Sequence, residues 1–94
     1  VPKEYRLYDA YPNPFNPTTI LRYDLPQNSM VTITIYDILG RAINTIVNEV
    51  QDAGNQSIIW DGTSTNGSAV AAGIYLYQMQ TNQYTQTKKV ILLK

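Results

Sequence analysis

Apolar and polar residues alternate with period two along most of this chain, the mark of strands that bury one face. Val31, Ile33 and Ile35 alternate with Thr32 and Thr34 in the clearest case. Within Thr18–Leu25, the residues Leu21, Tyr23 and Leu25 share one face, and Arg22 and Asp24 the other. Gln56, Ile58 and Trp60 alternate in a further strand, and Gly73–Met79 is a strand rich in aromatics. Tyr84–Leu93 is the last strand, and Arg6–Ala10 a short edge strand. Ala42–Val50 is ambiguous, because Ile43, Ile46, Val47 and Val50 also fit helical spacing. It is too short for an independent helix, so a strand is expected there.

Turn chemistry separates these segments. Pro26-Gln27-Asn28-Ser29 and Gln51-Asp52-Ala53-Gly54 are loop clusters, and Gly40 is expected to reverse the chain with positive φ. Asn66-Gly67 is a strong reversal signal. About seven short strands at roughly 8–12-residue spacing predict an all-β sandwich.

Tyr11-Pro12-Asn13-Pro14-Phe15-Asn16-Pro17 breaks the pattern. Its prolines fix φ, remove backbone donors and push each preceding residue out of the helical region. The segment reads as a stiff, extended strap. Residues 1–17 are therefore expected to be a strap with a first strand, and 18–94 the sandwich body of a single domain.

Composition narrows the chemistry. The 94 residues carry seven basic and seven acidic side chains, 44% apolar residues, no cysteine and no histidine. That size suits one domain, and the apolar content supports a folded core. Zero net charge gives no basic footprint for nucleic acid. Disulfides, Cys/His zinc sites and thiol or imidazole catalysis are excluded. No cofactor, small-molecule substrate or catalytic residue is expected. Val1-Pro2-Lys3-Glu4 reads as the interior of a longer chain.

The expected core is Leu21, Tyr23, Val31, Ile33, Ile35, Ile58, Trp60 and Tyr77. Trp60 is read as a core residue rather than a carbohydrate platform. Tyr75 and Tyr77 are read as core or corner residues bonding to backbone, and Tyr5, Tyr8 and Tyr84 as exposed. Asp37, Asp52 and Asp61 are read as turn caps rather than metal ligands. At the chain's end, Lys88-Lys89-Val90-Ile91-Leu92-Leu93-Lys94 combines lysines with an apolar run. Such lysines guard an edge strand against aggregation. They also suit an edge strand whose unpaired backbone groups accept a partner by strand addition.

Several motifs occur in order over nearly the whole chain: Tyr11-Pro12-Asn13-Pro14-Phe15-Asn16-Pro17-Thr18-Thr19, Tyr23-Asp24-Leu25-Pro26, Tyr36-Asp37-Ile38-Leu39-Gly40-Arg41, Trp60-Asp61-Gly62, Gly73-Ile74-Tyr75 and the lysine-flanked ending. Together they resemble the type A C-terminal sorting domain of the bacterial type IX secretion system. The related flagellar hook-cap immunoglobulin-like domain shares Trp60-Asp61-Gly62 and the Gly73-x-Tyr75 pattern. The resemblance implies a seven-stranded, Greek-key, immunoglobulin-like sandwich with no catalytic role. It implies a tag that guides an upstream cargo domain of the same chain through an outer-membrane translocon, after which, commonly in that family, a sortase-like peptidase removes it. The protein would then be exported, passing the periplasm to the cell surface or medium. Gly73 and Tyr75 match the family's penultimate-strand motif, and Lys89 to Lys94 its terminal signal. The Thr81-Asn82-Gln83 loop lacks a glycine often found in the family, and Asn82 is expected to supply the left-handed conformation. An accessory carbohydrate-binding or linker sandwich of a secreted hydrolase is the alternative.

Overall fold

The computed structural model describes residues 1–93. Seven strands form the immunoglobulin-like sandwich that the alternation and the resemblance lead one to expect. They are β1 (Arg6–Leu7), β2 (Thr19–Leu25), β3 (Ser29–Asp37), β4 (Ala42–Gln51), β5 (Gly54–Trp60), β6 (Gly73–Gln80) and β7 (Thr85–Leu92). One antiparallel sheet has the order β1-β2-β5, and the other β4-β3-β6-β7.

Leu21, Tyr23, Leu25, Val31, Ile33, Ile35, Trp60, Tyr77, Met79 and Val90 fill the space between the sheets. Period two places these side chains inward from both layers. Ile58 is half-buried against the same cluster, because β5 borders its sheet and leaves that position open on one side. Phe15 is as buried as Trp60, and its ring lies 5.5 Å from the indole. Tyr75 meets the indole edge-on at 5.4 Å. Such aromatic pairs add about 0.5–1.5 kcal/mol each beyond their buried area.

Buried hydroxyls are satisfied across the layers. Tyr77 donates to the Tyr8 carbonyl at 2.8 Å, Tyr75 to the Ala71 carbonyl at 2.6 Å, and Thr19 to the Pro12 carbonyl at 2.7 Å. Tyr23 bonds Gln51 and so ties β2 to β4 of the other sheet. The indole N–H of Trp60 donates to the Thr63 carbonyl at 3.0 Å.

β4 explains its own mixed periodicity. Its register against β3 steps between Ile33 and Thr34 and again between Ile35 and Tyr36, leaving Ile46 and Ile43 without a facing residue. Each extra residue is a bulge that rotates the strand. Ile43, Ile46 and Val47 can all lean on the core as a result, whereas Val50 remains exposed. The apparent helical spacing is that of a twice-bulged strand.

At the β3–β4 turn Gly40 has φ +84°, and the Asp37 carboxylate accepts the N–H groups of Leu39 and Arg41. The β6–β7 hairpin departs from expectation. Among the described residues no non-glycine φ is positive, so Asn82 is not left-handed. The turn closes instead through the Thr81 N–H to the Tyr84 carbonyl, with the Thr81 hydroxyl accepting the Gln83 N–H.

Candidate functional site

β7 alternates as its neighbours do. Val90 and Leu92 point into the core, Ile91 is half-buried, and Lys89 and Leu93 face solvent. The Lys88 ammonium bonds the Asp9 carboxylate at 2.9 Å, and this bond holds the Asp9 carboxyl below its usual range. Lys94 lies outside the described residues.

One edge of β7 pairs with β6. The other was expected to be free, and from Lys89 to Leu93 it is not. Phe15 forms a parallel bridge to Leu92: its N–H donates to the Ile91 carbonyl at 2.9 Å, and its carbonyl accepts the Leu93 N–H at 2.8 Å. One residue pair earlier, the side chain of Asn13 replaces a backbone. Its Oδ1 accepts the Ile91 N–H at 3.0 Å, and its Nδ2 donates to the Lys89 carbonyl at 3.2 Å. The physical reason lies in the strap itself. Prolines at 12, 14 and 17 cannot donate to a ladder. The intervening Asn13 and Phe15 supply the donors and acceptors that the prolines lack. Strand addition along Lys89–Leu93 is therefore blocked in this conformation, and the strap belongs to the sandwich rather than preceding it.

The other motif residues divide by role. Asn13, Pro14, Asn16 and Pro17 are exposed around the buried Phe15. Gly73 has φ +151°, a conformation that side-chain-bearing residues rarely adopt, while a Cβ there would meet open space. Backbone shape accounts for this glycine.

Among the described residues, Trp60, Tyr5, Tyr8 and Tyr84 do not form a flat exposed strip. Trp60 is buried, and Tyr5 and Tyr84, expected to be exposed, are half-buried and stacked on each other at 5.6 Å. Tyr5 also shares a hydrogen bond with Ser29, and Tyr84 accepts the Leu7 N–H. Tyr8 is half-buried too, its hydroxyl donating to Asp24 at 2.6 Å, and that bond raises the phenol's pKa.

The surroundings of Tyr8 form a site that the sequence reading missed. Asp24, assigned to the polar face of β2, is 8% exposed. It also accepts Asn55 Nδ2 at 2.7 Å. The guanidinium of Arg6 stands 4.5 Å from the Tyr8 ring centre and that of Arg22 5.5 Å. Tyr8, Arg22, Asp24, Asn55, Gln56 and Ser57 line a groove of about 380 Å³ on the outer face of the three-stranded sheet. The only signal in the sequence was a polar pair, Arg22 and Asp24, at alternate positions of a strand.

The FlgD Ig-like domain matches residues 15–84 of the chain. A search of curated protein sequences gave no match. Among solved structures, the chain is similar to the dimeric latent PorU from Porphyromonas gingivalis, with 25% identity and a TM-score of 0.77 over 95% of this chain and 9% of that one. It is similar to FLGD from P. aeruginosa, with 31% identity and a TM-score of 0.62 over 79% of this chain and 58% of that one. PorZ, a surface component of the type-IX secretion system of Porphyromonas gingivalis, shares the fold at 16% identity and a TM-score of 0.64, over 94% of this chain and 11% of that one. The chain thus spans about a tenth of PorU and of PorZ and just over half of FLGD. The matched region runs from the strap's buried phenylalanine to the last hairpin, and the chain belongs to the FlgD Ig-like domain family.

Proposed function

We propose that this chain is a non-enzymatic sorting domain that directs an attached cargo across the outer membrane by the type IX route. The likeness to PorU over 95% of the chain carries the reading. PorZ, named as a component of that system, supports it through fold alone. The ordered motifs from Tyr11 to Tyr75 add to it. The partners would be translocon components and a sortase-like peptidase, and the destination the cell surface or medium.

The sealed edge changes how recognition would work. A receptor reading the end of β7 would use the side chains of Lys89 and Leu93, which face solvent, rather than the backbone between them. Deleting Lys89 to Lys94 is a poor test, because it removes Val90 and Leu92 from the core. Single changes of exposed residues are better.

The experiment fuses this chain to an exported reporter enzyme in a bacterium that has the type IX system. The expected result is reporter at the surface or in the medium with the native chain. With Lys89→Glu combined with Leu93→Asp, it is held in the periplasm. Equal export with the native chain, with that pair of changes and with the whole chain removed would overturn the reading.

A further inference from the structure

Four strands border the two sheets, and three of them are guarded. β1 is two residues long, β4 is bulged twice, and β7 carries Lys88, Lys89 and the strap. Natural edges are usually blunted by such devices. β5 has none. Its seven residues, Gly54–Trp60, run in unbroken register against β2 and contain no proline and no charged side chain.

The direction of its backbone groups follows from β2. Ile20 exchanges backbone bonds with Tyr11, and the Arg22 carbonyl accepts the Tyr8 N–H. Those residues face away from β5, so Leu21 and Tyr23 face it and bond Ile58 and Gln56. By the same alternation Asn55, Ser57 and Ile59 aim their N–H and C=O groups outward. Among the described residues, none of these groups has a protein partner.

The outer face beside this edge is polar at one end and apolar at the other. Ser57 sits opposite Arg22, and Ile59 opposite Ile20. Ile59 and Ile20 are 61% and 40% exposed and continue onto the exposed Tyr11. The ion pairs among the described residues are Arg41 with Asp37 and Lys88 with Asp9, leaving Arg22 with no carboxylate.

We propose that β5 is a docking edge for an extended segment of another protein, paired backbone to backbone with Asn55, Ser57 and Ile59. That segment carries a carboxylate opposite Ser57 and an apolar side chain opposite Ile59. Neighbouring strands lie about 4.8 Å apart. A glutamate opposite Ser57 therefore stands roughly 10 Å from the Arg22 backbone. To meet it over the small serine, the Arg22 guanidinium turns away from the Tyr8 ring, from which it now stands 5.5 Å. The apolar residue extends the Ile59–Ile20 strip. A second copy of this chain is a poorer occupant, because its β5 brings no carboxylate to Arg22.

The test titrates the isotope-labelled chain with three peptides. One alternates threonine and valine around a central glutamate. The second has lysine at the centre, and the third is the glutamate peptide methylated on alternate backbone nitrogens. The glutamate peptide should shift amides of Gly54–Trp60 and of Arg22. The lysine peptide should bind about fivefold more weakly, and the methylated one not at all. Arg22→Glu should invert the preference. Ser57→Pro removes one outward N–H from an edge position, where proline is tolerated, and should abolish binding. Ser57→Lys, a guard that keeps the backbone intact, serves as the second variant. Shifts at Thr85–Lys89 instead, equal binding of the glutamate and lysine peptides, or no shift at millimolar peptide would overturn the proposal. So would a concentration-dependent dimer that Ser57→Lys dissolves.

Discussion

The side-chain amide of Asn13 holds the backbone on both sides of Val90, accepting from Ile91 and donating to the Lys89 carbonyl. An asparagine thereby stands in for a strand residue beside two prolines. Asn13→Ala should cost about 1–2 kcal/mol, since two modest hydrogen bonds are lost. Asn13→Asp keeps the acceptor and loses the donor. Hydrogen exchange should locate the effect: the Ile91 amide should exchange faster in the alanine variant and stay protected in the aspartate one.

Phe15 anchors the same segment from below. Its ring is 1% exposed and touches Trp60. Phe15→Ala should lower stability by about 3–5 kcal/mol. Denaturant unfolding followed by Trp60 fluorescence measures it. A loss below about 1 kcal/mol would mean that the strap is an adornment rather than part of the core.

Gly73 separates shape from space. A methyl group there would touch nothing within 4 Å, but the φ of +151° disfavours any side chain. Gly73→Ala should therefore destabilise by about 1–3 kcal/mol. A fully stable alanine variant with failed export would instead assign this glycine to receptor contact.

Tyr77 gives the domain an alkaline limit. Burial pushes its phenol up to about 12, from 10.0 for a free tyrosine. The folded state thus keeps a proton that the unfolded chain releases. The associated stability is intact below pH 10, declines as pH rises past it, and is lost once pH exceeds about 12. Tyr8, Tyr23 and Tyr75 are shifted the same way. Tyr77→Phe should flatten this decline, read as unfolding free energy against pH, while losing the bond to the Tyr8 carbonyl.

Most of the sandwich was legible because burial imposes period two on β2, β3, β5 and β6. β4 was harder, since two bulges shift that period, and only its length argued for a strand. The seat of the strap on β7 was not legible at all. It depends on side-chain and backbone bonds between residues far apart in the chain, such as Asn13 and Ile91, which are 78 positions apart. No local pattern records them. The groove beside Arg22 escaped notice for a related reason: Asp24 owes its burial to Tyr8 and Asn55, which come from different segments.

Phe15 and Leu92 run in the same direction. A pull applied upstream of Asn13 and downstream of Leu92 would load the Asn13 and Phe15 bonds to β7 together, in shear, rather than unzip them one by one. The first barrier to mechanical unravelling should sit at this clasp. Single-molecule stretching would find it reduced in the Asn13→Ala chain. A domain built this way resists being threaded through a narrow passage as an extended polymer.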